Sequence, residues 1–406
     1  VSYTSSDEKV AKIDKDGNIT LVGAGEVTFT VTYPETPNYS AKTASVSLKV
    51  TRDTLAEDNF EVTQNTTDYD GSQKEVKVTA KVDGIGKITV KYYQNDVEVE
   101  NTPTNAGSYE VRIEVGQGVK YEAATLSLGT LTINKKDPSE ADLEYALTSK
   151  QYTGVAQAVA VSVKEGINGF GSISAANVKY YNQEGQEVGV PVAKGMYTVK
   201  VEIPEGDNYK AQVVNLGTYE ITSKPVELSD LSYSLPKVVD YTGVAQTVEV
   251  LPAVGVQGLG QITVKYNGSK TLPVDAGTYN ITVDITVGTN YDSVAALSLG
   301  TLTINKIAPV ANNFKVTNNE YTYGDNEIKA TVEAADGVVG LGEITVKYYK
   351  DGEEVEPKNV GEYVIKVTTT EGDNYLAASE EIQVGTLTIN RAAAPEITYP
   401  QASGIT

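Results

Sequence analysis

The 406-residue chain contains no cysteine, no histidine and no tryptophan, and only one methionine and four phenylalanines. Without cysteine it has no disulfides, no thiolate nucleophile and no thiolate-held zinc or iron–sulfur centre. Without histidine it loses the commonest general base, the commonest transition-metal ligand and the usual charge switch near neutral pH. Positive charge is also scarce: 33 Lys plus Arg stand against 54 Asp plus Glu, a net charge of −21. Such a surface repels nucleic-acid phosphate and anionic lipid, and no basic stripe reverses it locally. Binding to nucleic acid is therefore not expected. No apolar run reaches the length of a bilayer span, so no membrane insertion is expected within this segment. The chain opens at Val1 inside a strand-like pattern, with no signal peptide. The expectation is a piece of a longer protein whose signal and anchor lie elsewhere.

The residues present point to strands. There are 27 Tyr, 36 Gly and 14 Pro, with the apolar residues skewed to Val, Ile and Leu. Tyr, Val and Thr favour pleated structure, while Gly and Pro supply turns. In TYNITVDITV the residues Tyr279, Ile281, Val283, Ile285 and Val287 fall on one face; in SYEVRIEV so do Tyr109, Val111, Ile113 and Val115. A period of two with one apolar face predicts antiparallel strands over a single core. No sustained helical stripe occurs.

The decapeptide LSLGTLTINK is spelled twice, at Leu126–Lys135 and Leu297–Lys306. It belongs to a longer repeat. The pattern [LV]-G-T-[LY]-[TE]-I recurs around Gly129, Gly217, Gly300 and Gly385, spacings of 88, 83 and 85 residues. Three further landmarks keep step: Y-[DT]-G at Tyr69, Tyr152 and Tyr241 (YGD at Tyr323), the stretch KITVKYY with its relatives, and a turn read as NAGSY, AKGMY, DAGTY and NVGEY. A unit of this length is too long for a solenoid repeat and suits a small domain. The expected organisation is a partial domain at 1–51, repeats at 52–136, 137–225, 226–306 and 307–391, and a linker or the start of a further repeat at 392–406. Pro138, Pro225, Pro309 and Pro395 lie at the boundaries, where a fixed φ makes short, stiff joints. Glycine inside the LGTLTI strand predicts a bulge or a close backbone approach.

The DAGTY turn resembles the tyrosine corner of immunoglobulin-like folds, in which a tyrosine hydroxyl bonds back to backbone upstream. The resemblance implies this structural role for Tyr109, Tyr197, Tyr279 and Tyr363. The cysteine that usually follows two positions on is Val111, Val199, Ile281 or Ile365 here, so aliphatic packing stands in for the disulfide. SSDEKVAKIDKDGNITLVGAGEVTFTV resembles the group 2 bacterial immunoglobulin-like domain at Ser6, Val10, Ala11, Ile13, Asp14, Gly17, Ile19, Thr20 and Gly25, with its opening strands missing. The later units look like the MBG and YDG-type repeats of bacterial surface proteins. Together these resemblances imply an all-β array of tandem immunoglobulin-like sandwiches, elongated, monomeric and exposed on a bacterial surface. They also imply a non-catalytic stalk or adhesin segment that presents a binding or catalytic head. Two alternatives stay open: a module in one repeat that binds a host or cell-surface glycan or protein, and an accessory array of a secreted polysaccharide-active enzyme.

Candidate chemistry is sparse. No carboxylate pair is singled out for glycoside hydrolysis, so no catalytic residue, cofactor or metal is expected. DKDGN at Asp14–Asn18 looks like part of a calcium loop, but Gly25 stands where the closing Glu would be. EGDNY at Glu205 and Glu371 raises the same question, although the counterparts GTNY and GVKY lack most of the carboxylates. Asn134, Asn305 and Asn390 could accept an isopeptide bond, but no consistently placed Lys accompanies them. The G-x-G of VDGIGKI, VQGLGQI and VVGLGEI sits between strands and reads as a hairpin. Finally, strand alternation sends one ring of each tyrosine doublet outward. Tyr93, Tyr181 and Tyr349 are thereby candidate ligand contacts, since Tyr suits interfaces.

Overall fold

The structure, a computed structural model, describes residues 1–397. Residues 398–406 of the expected terminal linker lie outside the described part. The chain is all β, apart from single turns of 3₁₀ helix. Among the described residues no helix is long and apolar enough to cross a membrane. The residues divide into two compact units, Val1–Ser149 with Ala156–Pro191 and Gly195–Glu220, and Lys150–Val155 with Val192–Lys194 and Ile221 onward.

The first unit begins with β1 (Ser2–Ser5), β2 (Ala11–Ile13), β3 (Ile19–Leu21), β4 (Gly25–Tyr33) and β5 (Lys42–Val50), paired as β1-β4-β5 and β2-β3. Its core is small, with Val10, Ala11, Val27 and Phe29 at the centre. The first full repeat follows with β6 (Phe60–Thr63), β7 (Thr66–Asp68), β8 (Lys77–Ala80), β9 (Ile88–Gln94), β10 (Val97–Val99), β11 (Gly107–Val115) and β12 (Ala124–Asn134). One sheet runs β10-β9-β11-β12-β7 and the other is the pair β6-β8. All contacts are antiparallel except β7 on β12, which is parallel. Tyr109, Val111, Ile113 and Val115 alternate inward along β11 and are buried. The second repeat starts with the same two-stranded pairing, Leu143–Tyr145 on Val161–Val163.

In the second unit the pattern returns. The third repeat orders Lys237–Asp240, Val294–Asn305, Gly277–Ile285 and Ile262–Tyr266 in one sheet and pairs Leu231–Tyr233 with Val250–Pro252 in the other. The fourth orders Glu320–Thr322, Ile382–Asn390, Gly361–Thr369, Ile344–Lys350 and Glu353–Glu354, opposite Phe314–Thr317 paired with Thr331–Ala334. Ile281, Val283 and Ile285 are buried as the alternation requires. Val287 is not, because the strand has ended at Ile285 and the chain is already turning through Gly288.

The LGTLTI glycine is the site of a bulge. Register slips between Glu110 and Arg112 opposite Gly129, between Ile281 and Thr282 opposite Gly300, and between Ile365 and Lys366 opposite Gly385. An extra residue there lets the strand twist without losing its inward pair, Leu131 and Ile133 in the first repeat.

Candidate functional site

The corner tyrosines bond back four residues. Tyr109, Tyr279 and Tyr363 donate their hydroxyls to the carbonyls of Asn105 at 2.9 Å, Asp275 at 2.8 Å and Asn359 at 2.7 Å. Tyr197 sits at the same place on the strand Gly195–Ile203. Burial pushes the phenols of Tyr109, Tyr197 and Tyr279 above their ordinary pKa. Removing the hydroxyl in Tyr279→Phe is expected to cost about 1 kcal/mol, read as a lower denaturation midpoint. An unchanged midpoint would show that the hydroxyl contributes nothing.

The outward tyrosines are not brought together; each lies on its own repeat beneath a cation. The Arg112 guanidinium is 4.3 Å above the Tyr93 ring, Lys200 Nζ 4.7 Å above Tyr181, and Lys366 Nζ 4.3 Å above Tyr349. The Tyr349 hydroxyl also donates to Glu381 at 2.8 Å, and its pKa is pushed up to about 12, chiefly by that carboxylate. The inward partners perform a task not foreseen from the sequence. The Tyr92, Tyr180, Tyr266 and Tyr348 hydroxyls accept the backbone N–H of Val76, Val159, Val248 and Ala330 at 2.8–3.0 Å. Each phenol thereby satisfies a backbone donor in the loop leading into the next strand.

Of the other candidates, Asp14 accepts N–H bonds from Asp16 and Asn18 and closes a hairpin turn. Asn134 and Asn305 donate to Asp68 and Asp240 rather than facing a lysine. Among the described residues, no cluster of three acidic side chains could hold a metal ion.

The most elaborate constellation lies at the joints between consecutive repeats, on the two EGDNY loops and their GTNY counterpart. Asn208, Asn290 and Asn374, all from N-Y dipeptides, are buried. Each side-chain oxygen accepts the backbone N–H beside the corner glycine of the preceding repeat: Ala106 at 2.8 Å, Lys194 at 3.0 Å and Ala276 at 2.7 Å. The amide nitrogens donate onward, from Asn208 to the Asn105 side chain at 3.1 Å and from Asn374 to the Asp275 carboxylate at 3.0 Å. They also donate to the carbonyls of Asn168, Gln257 and Val339, just ahead of the G-x-G glycines. In Asn208 and Asn374 the amide group is therefore fully used on both sides, as buried polar groups generally are.

The neighbouring tyrosines complete the joint. Tyr209, Tyr291 and Tyr375 meet Tyr69, Tyr152 and Tyr241 edge to face, with ring centroids 5.7, 5.6 and 5.7 Å apart. This geometry adds about 0.5–1.5 kcal/mol per pair beyond area burial. The Y-[DT]-G motif thus provides the receiving ring. The linker itself is tied down: Lys136 N–H donates to Asn208 O at 2.9 Å and Lys210 N–H to Lys136 O at 3.0 Å. Lys224 and Ile307 repeat this bridge with Asn290 and Asn374. Stiffness sought in the boundary prolines thus resides also in hydrogen bonds and buried rings.

The G-x-G hairpin explains how the asparagine loop approaches so closely. Gly169 has φ +68°, and a Cβ there would lie 2.4 Å from Asn208 Nδ2; at Gly171 it would lie 1.9 Å from the Pro204 carbonyl. Only glycine lets the two loops touch backbone to backbone. The joint ahead of the first repeat is built differently. Lys120 replaces the asparagine, and Ala24 N–H donates to the Val119 carbonyl at 2.9 Å instead.

Two joints carry an internal ion pair. Lys224 Nζ contacts Asp230 at 2.9 Å, and the Tyr291 hydroxyl donates to the same carboxylate at 3.2 Å. Burial opposes ionisation of Asp230, but Lys224 and the Glu227 N–H outweigh it and hold the carboxyl below the usual range. The folded pKa being depressed, the pair's contribution is present above the unfolded carboxylate pKa and lost as pH falls through the folded value. The fourth repeat has Ile307 and Asn313 at these positions, a neutral solution to the same turn. Asp230→Asn alone, leaving Lys224 only the exposed Glu227 as partner, is expected to cost about 2 kcal/mol, and adding Lys224→Ile to recover most of it. Urea denaturation of the two variants checks this; equal losses would mean that the pair is not coupled.

The fourth repeat also has a cleft of ≈1110 Å³ between the Tyr323–Lys329 loop and Glu354–Lys358. In the other repeats the matching loop is closed by an N–H bond to a proline carbonyl, from Lys74 to Pro103, Gln157 to Pro191 and Gln246 to Pro273.

Residues 59–137 and 224–308 match the family model of the MBG domain. No curated protein matches the chain. Among solved structures it is similar to four cadherin repeats of Drosophila N-cadherin, at 12% identity and TM-score 0.22, covering 85% of this chain and 99% of that one. It is similar to domains 1–6 of the surface layer protein SbsC, at 13% identity and TM-score 0.19, covering 96% of this chain and 60% of that one. A third is a SusE-like, surface-located polysaccharide-binding protein from the Bacteroides thetaiotaomicron heparin utilisation locus. There identity is 12% and TM-score 0.16, covering 96% of this chain and 67% of that one.

Proposed function

We propose that the chain is a non-catalytic spacer of an extracellular bacterial protein, in which tandem sandwiches hold a binding or catalytic head away from the envelope. The domain division proposed is the one read from the repeat, with residues 1–51 as a bacterial immunoglobulin-like part. The observation that carries this reading is the threefold recurrence of the asparagine–tyrosine joint. A linker left to itself would be flexible; here rings and amides are spent on fixing one repeat against the next, which is what a load-transmitting or reach-extending segment requires. The MBG match supports a repeat module rather than an enzyme.

Small-angle X-ray scattering with and without millimolar calcium tests the reading. Domains of roughly 35–40 Å each lead to an elongated particle on the order of 170 Å, unchanged by calcium. A compact particle would overturn the spacer reading, and lengthening only with calcium would overturn the metal-free joint.

The cleft beside Tyr323 favours a second reading, a ligand-binding module in the fourth repeat. A glycan array probed with the chain and with its Tyr323→Ala variant separates the two: signal lost in the variant supports binding there, and no signal supports the spacer.

A further inference from the structure

Each repeat takes in the chain through a short strand of its small sheet and then lays it beside the strand by which the chain leaves. The two run parallel in all four repeats: Thr66–Asp68 on Thr132–Asn134, Lys150–Gln151 on Ile221–Thr222, Lys237–Asp240 on Leu302–Asn305, and Glu320–Thr322 on Thr388–Asn390. Because they are parallel, the chain comes in at one end of the pair and goes out at the other. Tension along the backbone therefore draws the two strands past each other. It loads the evenly spaced hydrogen bonds of the pair together, not one after another.

The four pairs are unequal. In the third repeat four residues are in register, and Asn305 Nδ2 closes the end by donating to Asp240 at 3.1 Å. The first repeat has three, closed by the same bond from Asn134 to Asp68 at 3.0 Å. The fourth has three, with Asn319 Nδ2 donating to the Thr386 carbonyl at 2.8 Å. The second has two. Thr222 replaces the asparagine there, and its hydroxyl reaches the Lys150 carbonyl only at 3.5 Å. The same repeat carries a fault in its core. Tyr219 takes the place of Leu131, Leu302 and Leu387 and is 1% exposed, yet its hydroxyl has no hydrogen-bond partner among the described residues. A buried hydroxyl left unpaired weakens the fold around it.

We propose that the array is graded against tension: the second repeat yields first and extends, and the third holds longest. Rupture under force follows the unfolding barrier, so a few hydrogen bonds in the loaded pair set the order. Opening the second repeat frees roughly 70 residues, which adds roughly 240 Å of slack. A pull is then absorbed by lengthening before the stronger repeats are strained. That use rests on the spacer reading, but the order of yielding does not, so scattering and force measurements fail separately.

The absence of native cysteine makes the order readable. Gln151 and Thr222 are register partners, as are Asp240 and Asn305, so a disulfide at either place shields that repeat from tension. The full chain is stretched in optical tweezers beside its oxidised Gln151→Cys/Thr222→Cys and Asp240→Cys/Asn305→Cys variants. The expected result is loss of the first repeat-length extension in the former and of the last in the latter, each returning with reductant. Loss of a later extension in the former, or of an earlier one in the latter, would overturn the proposal. A second variant needs no disulfide. Gln151→Asp with Thr222→Asn gives the second repeat the closure of the first and third, and its extension at fixed force is expected to slow about fivefold. An unchanged rate would overturn the role assigned to the parallel pair.

Discussion

Replacing Gly260 with alanine is expected to cost the third repeat about 3 kcal/mol and to loosen its joint with the second. A Cβ there would stand 1.8 Å from the Thr286 carbonyl oxygen and 2.8 Å from the Thr286 hydroxyl. The loop that carries Asn290 would have to withdraw. Its N–H bond to Gly258 O, 3.1 Å long, would go with it, and so would the seat of Tyr291 against Tyr152. Gly268→Ala is the matched control: its φ of +83° carries strain, but nothing lies within 4 Å of the added carbon. It should cost about 1–2 kcal/mol and leave the joint intact. Differential scanning calorimetry of both variants checks this. A control as damaging as Gly260→Ala would show that backbone strain, and not loop contact, sets the cost.

Asn374→Ala is expected to remove about 2–3 kcal/mol and to uncouple the third and fourth repeats. The substitution leaves the Ala276 N–H without its acceptor in a buried joint and Asp275 without its amide donor. The Tyr241–Tyr375 contact remains possible, so the apolar part of the joint survives while its register is lost. The signature is a denaturation curve that splits, with the fourth repeat melting earlier. A single transition at the original midpoint would mean that the tyrosines alone hold the joint.

What could be read from the sequence was local. Alternation along Tyr109–Val115 places four side chains in a core whatever lies further off, and DAGTY encodes a bond spanning four residues. The bulge at Gly129 is likewise a property of one strand and its neighbour. The joint was not legible, because its halves stand far apart in the chain: Ala106 is 102 positions from Asn208, and Tyr69 is further still from Tyr209. Read singly, EGDNY suggested metal and G-x-G suggested a hairpin. The available signal was the constancy of Asn-Tyr at 208, 290 and 374 while the surrounding carboxylates changed. A ligand set would have kept its charges; a clamp needs only the amide and the ring. The tyrosine doublets were half legible. Alternation fixes which ring turns inward, but not that its hydroxyl meets a loop N–H 16 to 21 residues earlier.

The duplicated decapeptide ends on the first residue of each joint, Lys135 or Lys306, which pairs with Glu205 or Glu371. Lys136 and Asp142 lie downstream of the first copy, Ile307 and Asn313 downstream of the second. A recombination crossover anywhere within LSLGTLTINK therefore transfers a charged pair or its neutral substitute whole, never half of each. The corner left upstream offers the same N–H to whichever asparagine arrives. Genes built this way can gain or lose repeats in register, and the length of the array becomes a heritable variable that changes without redesign of a single contact.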